Sequence, residues 1–187
     1  MVQPGNLDAL VALMAHEADG SAIPWRLADL QCAIALLQES GYPVQYSFRV
    51  IHGPRSEALE HHLDYLERRG LVEQTRHPSD PQQDSIRILR NPPFKLNQNF
   101  LAKLQLLRSA DKQLLQYASS YVIHRRVDPD ASHVVVQMKQ AGSYSQPLDM
   151  AARRLLRSLG IAQRKYSFPG IQDNAIIATS PDSIPVV

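Results

Sequence analysis

Two histidines and several carboxylates lie close together between residues 57 and 64, where their types and spacing could hold a metal ion. Glu57 and His61 are four residues apart, which would place them on one face of a helix as two metal ligands. A protein metal site needs three or four converging ligands, and the sequence offers only His52 and His77 as further candidates nearby. A solvated acidic helix face explains the same pattern, and we prefer that interpretation. We expect no metal site.

A nucleophilic mechanism would need a cysteine or a serine that is activated by a neighbouring base. Cys32 with His16 is one conceivable pair, and a serine with a histidine is another, but neither stands in a recognisable motif. The chain contains no nucleophile-elbow pattern, no glycine-rich phosphate loop and no Cys-x-x-Cys. We therefore expect a protein that is not an enzyme and that uses no cofactor.

Basic residues are concentrated in the second half of the chain. Residues 1–89 hold 7 Lys or Arg and 12 Asp or Glu, a net charge of −5, whereas residues 90–187 hold 13 and 6, a net charge of +7. The basic residues that could bind nucleic acid or an acidic partner are Arg125, Arg126, Arg153, Arg154, Arg157, Arg164 and Lys165. They could equally anchor the acidic half, interact with a helix dipole or simply be solvated.

One predicted helix, starting after residue 56, carries the histidines and carboxylates. The turn at Gly53-Pro54 precedes it, and the Ser56 hydroxyl can accept hydrogen bonds from the free amides of its first turn. Gly70 follows the last apolar position and ends the helix. Its apolar stripe consists of Leu59, Leu63 and Leu66.

Strands flank this helix in the sequence. The aromatic run Tyr46–Ile51 predicts a short strand before the turn, and Leu71-Val72 leads into another strand after the helix. The polar residues from His77 to Asp84 would form the tip of a hairpin, with a return strand at Ser85–Leu89. This order is typical of the third helix and the wing of a winged helix-turn-helix.

The rest of the chain predicts mostly helices, because apolar residues recur at intervals of three and four. The segments are residues 7–14, 27–37 with Pro24 in the first turn, 100–107, 114–122, 134–138 and 148–159. Three successive valines within 134–138 favour a strand by propensity, but Asp130 or Ser132 could cap a helix, and we prefer the helix. The predicted fold is mainly α with a small β-hairpin: a winged helix-turn-helix followed by a helical C-terminal unit.

Asn91-Pro92-Pro93 is the best candidate for a domain boundary, because prolines cannot donate backbone hydrogen bonds. We expect a winged-helix-like domain over residues 1–90, a helical unit over 94–165 and an extended tail over 166–187, with one short strand at Ala175–Thr179. No apolar run approaches the ~20 residues that cross a bilayer, and no signal peptide is visible. A single cysteine cannot form an internal disulfide, so a cytoplasmic protein without a membrane partner is expected.

Residues 30–72, with the turn Gly53-Pro54-Arg55-Ser56, resemble the core of the YwgA-like proteins and the related SocA-like (Panacea) antitoxins. In those families a helix and an aromatic strand lead to a Gly-Pro-x-Ser turn and a further helix, and the similarity extends more weakly over roughly residues 26–161. The resemblance implies an antitoxin, adaptor or regulator near bacterial stress and antiviral defence genes. The family turn more often carries Tyr between Pro and Ser, so a role of that ring does not transfer to Arg55.

Two hypotheses for function follow. In the first, the chain is a non-enzymatic adaptor or antitoxin-like subunit that acts through a protein partner. In the second, it is a DNA-binding transcriptional regulator that uses its basic C-terminal half and its wing, and the alternative DNA contacts are Arg49, Arg55, Arg68, Arg69, Arg76 and Arg87. The helix over residues 56–69 has four carboxylates and only two arginines, which would repel phosphates, so the first hypothesis is preferred.

Overall fold

The structure, a computed structural model, describes residues 24–51, 53–79, 83–89, 98–140 and 142–161. Within these residues the chain is mainly helical, with a small antiparallel sheet and a separate two-stranded hairpin. The helices are α1 (Leu27–Glu39), α2 (Glu57–Arg68), α3 (Gln98–Ser109), α4 (Lys112–Val127), α5 (Ala131–Gln140) and α6 (Gln146–Ser158). The strands are β1 (Trp25–Arg26), β2 (Arg49–Val50), β3 (Pro54–Arg55), β4 (Val72–Thr75) and β5 (Ser85–Ile88). None of the helices in this described part is long and apolar enough to cross a membrane.

Helix α1 lies at the centre of the core. All eight residues from Leu30 to Leu37 are buried, because α1 packs against α3, α4 and strand β3. Of the apolar stripe predicted over residues 27–37, the members from Leu30 onward are buried together with the positions between them, and Leu27 is half-buried. The prediction that Pro24 lies in the first turn is wrong: the helix begins at Leu27, since Trp25 pairs with Ile86 of β5 in the sheet.

The connection from α1 to α2 contains the hairpin of β2 and β3, in which Arg49 lies opposite Arg55. The strand expected over Tyr46–Ile51 is confirmed only for its two residues in β2. Gly53 makes the turn with a φ of +151°, and a Cβ atom there would lie 3.1 Å from Gln116 Nε2 on α4. A side chain at this position would strain the backbone and press on α4, so the hairpin needs glycine to pack where it does.

Helix α2 matches its prediction closely. The Ser56 hydroxyl accepts a hydrogen bond from the Leu59 amide at 3.4 Å, and Gly70 follows the helix with a φ of +65°, as C-terminal caps require. Its stripe of three leucines, at positions 59, 63 and 66, is fully buried. Burying such side chains supplies about 1.5–3 kcal/mol each, which fixes this face of α2 against the core.

The three-stranded sheet has the order β1-β5-β4 and is antiparallel throughout. Strands β4 and β5 form the predicted hairpin after α2, with Val72 opposite Ile88 and Thr75 opposite Ser85. The short β1, which precedes α1 in the chain, lies on the other side of β5. The sheet therefore joins the segment before α1 to the hairpin after α2.

The C-terminal helices complete the core. Asp111 caps α4 by accepting a hydrogen bond from the Gln113 amide at 2.8 Å, and the helix preferred over a strand at residues 134–138 is confirmed as α5. Helix α4 packs against both α1 and α6, so that buried apolar residues from the two halves of the chain form one continuous cluster.

Several predicted elements lie outside the described residues. They are the first helix at residues 7–14, the boundary at Asn91-Pro92-Pro93 and the tail from residue 166 with its strand at Ala175–Thr179. The division of the chain into units over residues 1–90, 94–165 and 166–187 therefore stays a prediction.

Candidate functional site

Helix α2 carries three parallel rows of side chains that differ in chemistry. Rows arise because residues three and four apart lie above one another on a helix. The first row, which we call the carboxylate row, consists of Glu57, Glu60, Asp64 and Glu67. The second row, which we call the outward row, consists of Ala58, His61, Tyr65 and Arg68, and it includes the adjoining Arg69. The third row is the buried leucine row, Leu59, Leu63 and Leu66.

The hairpin of β2 and β3 supplies arginines to one end of the carboxylate row. Arg49 forms an ion pair with Glu57. Arg55 binds Glu60 in a bidentate manner, with Nε 3.0 Å from Oε1 and Nη2 2.9 Å from Oε2. Arg49 and Arg55, which the sequence analysis names as alternative DNA contacts, are thus neutralised by carboxylates of α2.

Strand β4 and the residue after it serve the other end of the carboxylate row. Arg76 lies 3.2 Å from Asp64 and 3.9 Å from Glu67. The Gln74 side chain donates to Asp64 at 3.0 Å, and the Gln74 backbone amide donates to a Glu67 oxygen at 3.0 Å. All four carboxylates of the row are therefore paired with cations from the neighbouring strands.

A buried glutamine on α1 holds this assembly in place. Gln31 is only 4% exposed; its Oε1 accepts a hydrogen bond from the Ser56 amide at 2.7 Å, and its Nε2 donates to Glu60 Oε1 at 3.0 Å. One side chain thereby links the centre of the core to the cap of α2 and to its carboxylate row. Sequence reasoning missed Gln31, although a glutamine inside the otherwise apolar run from Leu30 to Leu37 was the signal that could have identified it.

A cleft of about 630 Å³ opens between α1, the β2–β3 hairpin, the carboxylate row, β4 and the start of α4. Its charged lining residues balance in number: they are Arg26, Arg55, Arg76 and Lys112 against Asp29, Glu60, Asp64 and Asp84. Arg26 pairs with Asp29 at 2.8 Å, so three of these cations already hold a carboxylate. A cleft with this lining gives no electrostatic advantage to a polyanion.

The outward row presents a different surface. Tyr65 is 40% exposed, and Arg69 donates from Nη1 to the Tyr65 hydroxyl at 3.3 Å while its guanidinium carbon lies 5.8 Å from the ring centroid. Arg68 donates from Nε to the backbone oxygen of Asp64 at 3.3 Å. Within the described ranges neither guanidinium forms an ion pair, and His61 is exposed between them and Ala58.

His61 and His62, the two adjacent histidines of the metal hypothesis, lie in different environments: His61 is exposed and His62 is half-buried. His62 is joined to the Tyr46 hydroxyl by a hydrogen bond of 2.9 Å and packed edge-on against that ring. Burial raises the pKa of Tyr46, so its hydroxyl stays protonated and can donate to His62 Nδ1. Among the residues that the structure describes, no three His, Cys, Asp or Glu side chains are grouped so that they could hold a metal ion.

Cys32, the candidate nucleophile, is buried in α1. Burial raises the pKa of its thiol to about 11, against a smaller opposing effect of the Ser119 hydroxyl. Because the thiolate is the reactive form, this environment suppresses nucleophilic attack. His16, its conceivable partner, lies outside the described residues.

The basic cluster of the second half is only partly available for binding. Arg126 forms an ion pair with Glu39 of α1. Arg153 lies 2.7 Å from the buried Asp149, whose other oxygen accepts from the Tyr117 hydroxyl at 3.3 Å. Arg126 therefore joins α4 to α1, whereas Arg153 pairs within α6.

Two other arginines of the cluster are accessible. Arg154 and Arg157 are exposed on α6, and in the described part of the chain neither forms an ion pair. Arg125 is half-buried, and Arg164 and Lys165 lie outside the described residues. Of the alternative DNA contacts, Arg87 is exposed on β5 directly opposite Glu73, which offsets its charge.

Comparison of the chain with protein-family models, with curated proteins and with solved structures gives no match. The resemblance to the YwgA-like and SocA-like proteins therefore stays a prediction.

Proposed function

We propose that this protein is a non-enzymatic binding protein, an adaptor or antitoxin-like subunit, that acts through a protein partner held by the half containing α2. The observation that carries the proposal is the pairing of the carboxylate row with Arg49, Arg55 and Arg76. These arginines come from the strands beside the helix that would read a DNA groove, and they are already engaged.

The arrangement of this half supports a winged helix. A strand before α1 lies beside the last strand of the hairpin, and α2 immediately precedes that hairpin, giving the sheet order β1-β5-β4. In a helix-turn-helix the two helices are joined by a turn of three or four residues. Here the β2–β3 hairpin occupies that connection and places Arg49 and Arg55 along one flank of α2. We infer a winged helix whose reading helix is partly covered by this insertion.

Electrostatics then favours protein over duplex DNA as the ligand of this half. Phosphate binding requires Lys or Arg side chains that are free to neutralise phosphates and so release the counterions condensed on the nucleic acid. The hairpin tip from His77 to Asp84 contains no Lys or Arg, and the arginine before it pairs with Asp64 and Glu67. Docking on a duplex would break these ion pairs and leave carboxylates facing phosphates.

A second candidate function rests on α6. Arg154 and Arg157 are exposed at positions three apart, and no carboxylate among the described residues pairs with them. This favours a nucleic-acid-binding regulator that would use its C-terminal half. Its footprint would be small, because Arg126 and Arg153 are held by Glu39 and Asp149.

The proposal is tested by affinity capture of the tagged full-length chain from its native cell, followed by purification of the complex with the recovered protein. We expect one protein in a fixed ratio to the bait, and co-elution of the reconstituted pair on size exclusion. The same preparation should bind duplex DNA only weakly at physiological salt. Failure to recover any stoichiometric protein, together with sequence-specific DNA binding at that salt, would reverse the proposal.

A further inference from the structure

We propose that the outward row of α2 (Ala58, His61, Tyr65 and Arg68, with Arg69) is the docking surface, and that it takes an acidic segment of a protein partner. This rests on the proposed function and adds to it the surface and the chemistry of the partner. The row was hidden in the sequence, where the carboxylates of α2 gave the whole helix an acidic character.

The composition of the row suits a protein interface. Tyr and Arg are the side chains that most often carry the binding energy of such interfaces, and carboxylates are depleted there. Tyr65 is 40% exposed, a large ring left in water at the middle of the row. Ala58 is a small residue two helical turns before Tyr65, so that a partner backbone can approach that end of the row closely.

Arg69 is already oriented for binding. Its hydrogen bond to the Tyr65 hydroxyl at 3.3 Å and its position 5.8 Å from the ring centroid hold the long side chain against the aromatic surface. Ordering a flexible side chain costs free energy on association, so part of that cost is met before the partner arrives. Arg68 is held similarly by its hydrogen bond to the Asp64 backbone oxygen.

Charge complementarity points to an acidic partner. The outward row has a formal charge of +2 and contains no carboxylate. A guanidinium binds a carboxylate through two parallel hydrogen bonds, and neither Arg68 nor Arg69 uses its fork in that way within the described residues.

A protein segment fits this surface better than a duplex does. A partner protein can place its carboxylates over Arg68 and Arg69 alone. The phosphates of a duplex would continue past the outward row and meet the carboxylate row beside it. The carboxylate row therefore limits what the outward row can bind.

The experiment pans a random-peptide phage library against the full-length protein and measures the affinity of the selected peptides. The test variant carries Arg68→Glu and Arg69→Glu. The matched control carries Gln137→Glu, Lys139→Glu and Gln140→Glu, which lie exposed on α5 and change the net charge by the same amount. Melting curves establish that each variant is folded.

We expect the wild type and the control to select peptides rich in Asp and Glu. The test variant should bind those peptides about tenfold or more weakly, since charged hot-spot contacts are worth more than 1.4 kcal/mol. Tyr65→Ala, which keeps both charges, should weaken binding to a similar degree and serves if the double reversal does not fold.

Three results would overturn the inference: selected peptides without acidic residues, equal affinity of the test variant and the wild type, or binding of duplex DNA in place of any peptide. If the captured cellular partner still binds the test variant with wild-type affinity, the docking surface lies elsewhere while the proposed function stands. If no protein partner is recovered with the wild type, the proposed function itself fails.

Discussion

Arg55 and Glu60 lie on adjacent elements, a two-residue strand and a helix, and form two parallel hydrogen bonds of 3.0 and 2.9 Å. Glu60 accepts a third hydrogen bond from the buried Gln31. The pair therefore joins the β2–β3 hairpin to α2 and, through Gln31, to the central helix. At the surface of α2 it also neutralises the charges of one carboxylate and one arginine.

Replacing Gln31 by Leu should lower the free energy of unfolding by about 1–3 kcal/mol, because a buried donor loses its partner. The amide of Ser56, a residue only 1% exposed, would be left without the acceptor that Gln31 provides at 2.7 Å. Urea denaturation followed by circular dichroism measures the change. Gln137→Leu on the exposed side of α5 is the control and should change stability by less than about 0.5 kcal/mol. Equal effects of the two replacements would show that the hydrogen bonds of Gln31 do not stabilise the fold.

A double-mutant cycle of Arg55→Ala and Glu60→Ala should give a coupling energy of about 0.2–1 kcal/mol at moderate salt. The Arg55 side chain is 54% exposed, so water screens much of the attraction in spite of the bidentate geometry. Raising the salt concentration should reduce the coupling energy further. A coupling that is zero at low salt would mean that the two side chains do not hold each other in solution.

Local signals in the sequence were sufficient to predict most of the helices. Ser56 and Asp111 are caps with side-chain hydrogen bonds, Gly70 has the positive φ of a C-terminal stop, and the leucine row of α2 is buried as its spacing required. Each of these features depends on residues within one or two turns. A short window of sequence contains all the information that determines them.

The pairing of charges between elements could not be predicted in this way. Arg76 reaches Asp64, twelve residues earlier, only because β4 turns back along α2. Strand β1 is two residues long and shows no periodicity, so Pro24 was assigned to a helix. The sequence predicts that α2 is acidic. It does not predict that these carboxylates are paired with arginines, because the arginines come from three other segments.

Leu63→Ala should lower the free energy of unfolding by about 2–5 kcal/mol, because a fully buried leucine leaves a cavity on truncation. Tyr65→Ala lies two residues away on the outward row and should cost less than about 1 kcal/mol. The comparison uses thermal or urea unfolding of both variants. Equal costs would place Leu63 on the surface or Tyr65 in the core, and would contradict the assignment of the rows.

Cys32 should react with iodoacetamide far more slowly in the native protein than in the urea-unfolded chain. Burial raises its pKa from 9.0 to about 11, which lowers the thiolate fraction at pH 8 about a hundredfold before steric protection is counted. Mass spectrometry of timed samples gives the two rates. A native rate within a few-fold of the unfolded rate would show that the thiol is accessible.

The same shift predicts how stability depends on pH. The folded state keeps the Cys32 proton to about pH 11, whereas the unfolded chain loses it near pH 9.0, so the contribution is fully present below pH 9.0 and is lost as the pH rises towards 11. Burial also raises the pKa of Tyr42, Tyr46 and Tyr117, which adds to the alkaline loss. Cys32→Ala should therefore show a shallower decline between pH 9 and 11 than the wild type. An identical decline would assign the effect to the tyrosines alone.

The choice between a protein partner and nucleic acid is tested by duplex DNA binding as a function of salt. We expect wild-type affinity to be weak at physiological salt, and the change of Arg154 and Arg157 to Ala to leave it nearly unaltered. If the second candidate function were correct, the log-log salt slope would instead flatten by about two units, close to 0.9 for each lost phosphate contact.

Arg153→Ala is the matched control on the same helix. It removes a cation that is bound to the buried Asp149, so it should lower the free energy of unfolding by about 1–3 kcal/mol with little effect on the salt slope. A steep slope that depends on Arg154 and Arg157 but not on Arg153 would establish α6 as a phosphate-binding helix and would move the function to nucleic acid.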